Sequence, residues 1–284
     1  MLETNLAGKQ AVLITGTSSG IGRGCALYLD KMGYRVFAGV RNDDDATAIK
    51  KEASPLLTPV CLDVTSPSSI ASAKQCIMEK VGDTGLYALI NNAGISSNGP
   101  LEYYPLEQVR QMFEVNLFGL LAVTQAFLPL IKLGHGRIIN ISSVSAMMAF
   151  PFSAPYCASK YAVEIFSECL GMELSSVPVS VIEPANIASA IWDKSGQTNR
   201  QILESFPPEA QAIYGAAITK LNEANSQQVN KTDSPERIAK LVVKILTVKK
   251  PGALYREGRM VNLLRLLRIL PRGLRHKMIL SQLK

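Results

Sequence analysis

The chain has 284 residues, 47% of them hydrophobic and 19% charged, with a formal net charge of +7. That length suits one large α/β domain spanning 1–284, and no linker, repeat or low-complexity run divides it. Five scattered cysteines exclude a disulfide framework, and two distant histidines exclude a zinc site or a His-based triad, so no metal is expected.

The N-terminus, MLETNLAGKQ, lacks a signal-peptide pattern, and free thiols fit a reducing compartment, so the expected location is cytoplasmic. A buried strand is predicted over Ala11–Thr15 and a helix over Ile21–Lys31. Between them runs Thr15-Gly16-Thr17-Ser18-Ser19-Gly20-Ile21-Gly22. Glycines are needed where backbone must approach a phosphate, and the open N–H groups of a helix start then meet a pyrophosphate. Between a strand and a helix, this pattern points to a dinucleotide held by Gly16, Ser18, Ser19, Gly20, Ile21 and Gly22.

The second strand, Arg35–Val40, ends without the acidic residue that would take a ribose 2′-hydroxyl. Arg41 and Asn42 follow instead, and a guanidinium suits a 2′-phosphate. This favours NADP(H). The alternative is NAD(H), with Arg41 a solvated loop residue and Asp43, Asp44 or Asp45 on the ribose. Those three acids fall where a helix would begin, a place that favours acids anyway. The third strand, Leu57–Leu62, runs into Asp63-Val64, and Ser66 before Pro67 caps the next helix. A fourth strand, Tyr87–Ile90, runs into Asn91-Asn92-Ala93-Gly94.

Pro105–Ile131 reads as one long, mostly helical stretch with Asn116 among apolar residues, where a buried amide must find partners. Its apolar run Leu117–Ile131, broken by Thr124 and Gln125, is too short to span a bilayer. A strand over Arg137–Ile141 leads to Ser143, with Ser142 and Ser145 as neighbouring hydroxyls. A helix over Tyr156–Leu174 starts after Pro155 and carries Tyr156 and Lys160, four apart and so on one face. A lysine ammonium beside a phenol in a dry cleft would lower the phenol's pKa and suit it to proton transfer. Cys157 reads as packing, with no base near it in sequence.

The sixth strand, Val179–Ile182, is followed by Glu183-Pro184-Ala185-Asn186-Ile187-Ala188-Ser189. Residues 186–233 are long for a connection and read as short helices carrying Ile191, Trp192, Ile202, Phe206, Ile213 and Tyr214. A helix over Pro235–Val248 and a strand over Ala253–Tyr255 complete the domain. From Lys249 onward ten basic residues face one acid, so this end carries +9 and the rest −2. The tail, 259–284, is amphipathic, with Arg265, Arg268, Arg272 and Arg275 recurring every three or four residues and Pro271 splitting it into two helices. Two readings stand: a surface helix packed on the domain with snorkelling arginines, or a helix lying on a membrane surface. Aromatic residues scarcely interleave with these charges, so nucleic acid is not an expected partner.

Taken together, the T-G-x-x-x-G-x-G turn, Asp63-Val64, N-N-A-G, Asn116, and Ser143 thirteen residues before Tyr156-x-x-x-Lys160 resemble the short-chain dehydrogenase/reductase family, non-extended branch, over roughly Leu6 to Ser189. The resemblance implies a doubly wound parallel sheet of about seven strands with helices on both faces. It implies catalysis by Asn116, Ser143, Tyr156 and Lys160, Asn116 holding a proton-relay water and Lys160 also binding the nicotinamide ribose. Asp63 and Val64 would hold the adenine, and Asn91, Ala93 and Gly94 would line the ribose and nicotinamide. Pro184, Ala185, Ile187 and Ser189 would face the nicotinamide. Ala185 and Ser189 depart from the family's Gly and Thr there, so the loop is expected to run differently. Residues 186–233 would form a lid, and its large apolar groups imply an apolar small-molecule substrate. The chain looks most like the hydroxysteroid and retinol dehydrogenase members. The alternatives are a 3-oxoacyl-type reductase and a non-catalytic NADP(H) sensor. Family members pair through helices corresponding to Leu106–Ile131 and Tyr156–Ser175, implying a homodimer or homotetramer.

Overall fold

The computed structural model describes residues 10–188, 202, 204, 206–229 and 232–281. The strands are β1 (Ala11–Ile14), β2 (Arg35–Val40), β3 (Leu57–Cys61), β4 (Ala88–Asn91), β5 (Arg137–Ile141), β6 (Val179–Pro184) and β7 (Leu254–Glu257). They form one parallel sheet in the order β3-β2-β1-β4-β5-β6-β7. The chain moves outward from β1 to β3, then returns to lay β4 on the other side of β1. At that reversal the connections leave on opposite faces, and a crevice opens beyond the strand ends.

Alternation along the strands sorts the core into two layers. Val12, Ile14, Ile90 and Ile139 face one side, where they meet Leu29 of α1 (Gly20–Lys31) and Val242 and Ile245 of α8 (Glu236–Thr247). Leu13, Leu89 and Ile138 face the other, against Ile77 of α3 (Pro67–Val81) and Phe127 of α5 (Gly119–Leu133). Each such side chain, fully buried, contributes about 1.5–3 kcal/mol before the entropy of ordering is subtracted.

Local signals act where the sequence places them. Ser66 caps α3 through its bond from Ser69 N, with Pro67 in the first turn. Asn42 caps α2 (Asp43–Lys50), so the three acids Asp43, Asp44 and Asp45 are its first turn. The stretch from 106 to 133 comprises α4 (Leu106–Phe113), a π-helical turn over Glu114–Phe118, and α5. As a continuous 28-residue helix it is long and apolar enough to cross a membrane, which its inner run alone is not. Half of its most apolar window is buried inside the domain, as for a core helix.

One expectation changes: instead of several short helices, the region after 206 holds the 22-residue α7 (Pro208–Val229). Ala185 keeps an ordinary backbone, and the left-handed step falls on Asn186, φ 52°. Asn tolerates that region where Ala does not. Ser189, Ile191 and Trp192 lie outside the described residues.

Candidate active site

The glycine turn leaves β1 at the crevice. Gly16 has φ +69°, and a Cβ there would sit 2.8 Å from Ala93 Cα. A Cβ on Gly22 would meet Gly16 O and Asn92 Nδ2 closer than any real Cβ approaches such atoms. Asn92 Nδ2 donates to Thr15 O and Gly16 O, and Asn92 N and Ala93 N both donate to Thr15 Oγ1. The loops after β1 and β4 are therefore one unit, and Asn92 is its fastener. α1 begins at Gly20 without a side-chain cap from Ser19 and without an acid in its first turn. Its first N–H groups are thus suited to an anion. These features fit the diphosphate of a dinucleotide.

Around the turn, Thr17 bonds Gly39 O with both its N–H and its hydroxyl, tying it to the end of β2. Arg41 follows that strand end, exposed to solvent. Asp63 Oδ1 accepts from Thr65 N and Oγ1, holding the turn after β3 in shape. The Asn91 amide donates to Thr124 Oγ1 and Asn140 Oδ1, and Asn140 donates to Ser167 Oγ. This buried polar row joins β4 and β5 to α5 and α6 (Ala154–Glu173). The Asn91 amide nitrogen is thus committed within the domain.

The reacting groups meet between β5 and α6. The Ser143 hydroxyl neighbours the Tyr156 phenol and favours its ionised form. Lys160 Nζ lies 6.0 Å from the Tyr156 ring centroid and donates to Ile141 O at 2.9 Å. Here the expected electrostatics are corrected: burial pushes the Tyr156 phenol up to about 12, and the Ser143 hydroxyl only partly offsets it. Burial likewise lowers Lys160 to about 8, because an ammonium loses more hydration there than its one carbonyl bond returns. The phenol therefore holds its proton at neutral pH, ready to give it.

Asn116 sits in the π-helical turn, 1% exposed. Its amide donates to Ile95 O and Ser159 Oγ and accepts from Ile95 N. It clamps the chain after Gly94 to the catalytic helix. A Cβ on Gly94 would lie 3.2 Å from Asn116 Oδ1 and 3.5 Å from Lys160 Nζ, so only glycine leaves that junction open. A relay water there would bond the main chain of the wide turn, since the amide is already engaged.

Cys157 is buried packing, its thiol raised by desolvation. Ser142 does not face Tyr156: its hydroxyl bonds Glu164 Oε1. Pro184 ends β6; Ala185 N donates to Glu257 O, and Ile187 pairs with Asp233. Aromatic contacts join Tyr103 to Phe206 and Tyr214, and Tyr214 to Phe152, so α7 closes on the loops after β4 and β5. Among the described residues no group of His, Cys, Asp and Glu could hold a metal. Sequence reasoning missed Asn92 as a fastener and the Glu164–Glu183–Arg256 cluster. The partners of that cluster lie up to 92 residues apart in sequence, which no local pattern reveals.

A dinucleotide crevice at the strand reversal, with a phenol and a hydroxyl side by side at its edge, defines an oxidoreductase that uses a nicotinamide cofactor. Residues 10–200 match the sequence profile of the short chain dehydrogenase family. The chain is 42% identical to bovine (Bos taurus) 17-beta-hydroxysteroid dehydrogenase type 6 over 72% of its length and 66% of that protein. It is 36% identical to mouse (Mus musculus) retinol dehydrogenase 16 over 87% of its length and 80% of that protein. A short chain dehydrogenase from Burkholderia cenocepacia, solved in complex with NADP, superposes with a TM-score of 0.72. That match has 25% identity and covers 95% of this chain and 97% of the other. The chain belongs to the short-chain dehydrogenase family, as a member of the hydroxysteroid and retinol type acting on CH–OH groups.

Proposed function

We propose that the protein is an NADP(H)-dependent oxidoreductase interconverting a secondary alcohol and a ketone, or an alcohol and an aldehyde, on an apolar, lipid-like substrate such as a steroid or retinoid. The observation that carries this is the Ser143–Tyr156 pair, with Lys160 beside the phenol ring, at the dinucleotide crevice. The nicotinamide supplies or accepts the hydride at the substrate carbon. Ser143 holds the substrate oxygen, and Tyr156 gives that oxygen its proton in reduction or takes it in oxidation. Lys160 holds the ribose and places positive charge behind the phenol; Asn116 keeps the catalytic helix against the loop after β4. Met147 and Met148, after Ser143, lie in one apolar cluster, Phe206 lies in another, and Phe152 packs edge-on against Tyr214. The names of the relatives, hydroxysteroid and retinol dehydrogenases, support the same substrate class. Turnover of NADPH with a panel of steroid ketones, retinal and an acyl thioester tests this. Reduction of the thioester alone, or of nothing, refutes it.

The NADP(H) preference rests on Arg41. Asn42 and the three acids that follow belong to the start of α2, which leaves Arg41 as the exposed group at the end of β2. A charge-assisted hydrogen bond contributes about 1.5–3 kcal/mol, so Arg41→Ala should cost roughly tenfold or more in kcat/KM with NADPH and little with NADH. Equal loss with both cofactors would refute the assignment.

The tail supports a peripheral membrane contact. In α9 (Val261–Ile269) Val261 and Leu264 are buried, Leu264 against Met147 and Met148. Leu263, Leu266 and Ile269 point outward, the last 81% exposed. In α10 (Arg272–Ser281) Leu274, Met278 and Leu280 are also exposed. Residues 259–284 hold seven Lys and Arg and no acid. The buried face supports the packed reading and the exposed face supports the membrane reading. Each basic group near an anionic surface adds about 1 kcal/mol, which salt removes, whereas the leucine term persists. The full chain should sediment with phosphatidylserine vesicles, and L266E/I269E should not, with unchanged melting. Equal sedimentation of the two refutes a lipid role for this face.

Exposed Leu106, Phe118, Tyr161, Ile165 and Phe166 on α4–α6 support a homo-oligomer. Sedimentation velocity of the full chain should read a dimer or tetramer; a monomer refutes it.

A further inference from the structure

Behind the Ser143–Tyr156 pair lies a second polar constellation that the reaction does not use. Ser142, immediately before Ser143, is buried at the end of β5. Its hydroxyl donates to Glu164 Oε1 at 2.9 Å and lies 3.3 Å from the main-chain oxygen of Lys160. Glu164 stands on the catalytic helix, one turn beyond Lys160 and two beyond Tyr156. Its carboxyl interacts with that of Glu183, which is fully buried in β6. Arg256 on β7 forks onto Glu183, with Nε at 2.5 Å from Oε2 and Nη2 at 3.3 Å from Oε1.

Two neighbouring carboxyls shielded from bulk water, with one guanidinium between them, cannot both be ionised without an uncompensated buried charge. One guanidinium balances one carboxylate, and Arg256 is committed to Glu183. The proton therefore belongs on Glu164. Burial raises its pKa first, then the neighbouring Glu183 carboxyl, to about 7; the Ser142 bond and Arg256 pull the other way.

We propose that Glu164 is a positioning residue, sharing one proton with Glu183 and so pinning the catalytic helix to the ends of β5 and β6, which sets Tyr156 and Lys160 against Ser143. The groups facing it are Ser142 from β5, Glu183 from β6 and Arg256 from β7. On its own helix, the Lys160 ammonium is engaged by Ile141 O. Loss of the proton would set two carboxylates against one guanidinium and open the pin. A carboxyl with a raised folded pKa stabilises fully below its ordinary pKa, and that contribution is lost as pH rises through about 7. The device therefore weakens on the alkaline side.

The inference rests on Tyr156 being the proton donor, so one of its readouts needs no turnover. Glu164→Gln keeps a neutral group that can donate to Glu183 and accept from Ser142. In wild type, both the melting temperature and kcat for carbonyl reduction should fall as pH rises through about 7. In Glu164→Gln both curves should be flat across that range, with kcat near wild type on the acid side. Glu164→Ala should lose about tenfold or more in kcat, with KM for NADPH unchanged, because the helix is displaced and the cofactor cradle is not. Identical pH curves in wild type and Glu164→Gln would overturn the proposal, and so would wild-type kcat in Glu164→Ala. If no carbonyl is turned over, the melting curves still decide it, so its failure stays separate from failure of the functional reading.

Discussion

Tyr156→Phe is expected to lower kcat by about 10²- to 10⁴-fold, the range a positioned general acid supplies, while NADPH affinity stays as it was. The ring remains in its packed place; only the phenolic oxygen beside Ser143 is lost. Lys160 keeps its bond to Ile141 O, and the glycine turn is untouched, so neither the ribose side nor the diphosphate side of the crevice changes. Burial holds the phenol at about 12 in the wild type, which makes it a proton donor at neutral pH rather than a standing phenolate. Steady-state kcat, with NADPH binding followed by its fluorescence, separates the two effects. Turnover within threefold of wild type would remove Tyr156 from the chemistry, and a parallel loss of NADPH binding would make its role structural.

Gly22→Ala should weaken NADPH binding by about 10²-fold with the fold retained. The added methyl would be driven into Gly16 O and Asn92 Nδ2. Neither can yield easily: Asn92 Nδ2 is bonded to Thr15 O and Gly16 O at 3.0 and 2.9 Å, and Gly16 is held in a left-handed conformation against Ala93. Overpacking of this kind costs about 1–3 kcal/mol, and its upper end corresponds to the predicted loss if it falls on the loop that faces the diphosphate. A domain of this size tolerates that, since total stability is typically about 5–15 kcal/mol. The melting curve should therefore shift only modestly while the fluorescence titration moves strongly. Unchanged affinity would mean the turn does not hold the diphosphate.

Much of this site is written in short sequence patterns because its parts are local. A glycine turn between a strand and a helix, a Pro after a capping Ser, and a Tyr and Lys four apart each depend on residues within one or two turns of each other. The strand cores were readable for the same reason: alternation decides which side chains face which layer. Element ends were read less well. β4 and β7 each begin one residue later than the pattern suggests, and β6 runs two residues further, because neighbouring strands decide how far a ladder extends.

The sequence by itself determined the doubly wound sheet, the dinucleotide turn, the identity of Ser143, Tyr156 and Lys160, and the split of the tail at Pro271. Only the tertiary structure decided the charges and the faces. The sign of the Tyr156 shift depends on how much water is excluded, and exclusion is set by elements far away in the chain; burial outweighed the neighbouring Ser143 hydroxyl. Whether the leucines of α9 lie inward or outward depends on where the 144–150 loop gives them something to cover, and Leu264 found Met147 and Met148 while Leu266 and Ile269 did not. The proton between Glu164 and Glu183 exists because β6, β7 and α6 converge on one buried point. Low dielectric and a single guanidinium there forbid two charges, and that convergence appears in no stretch of sequence short enough to read.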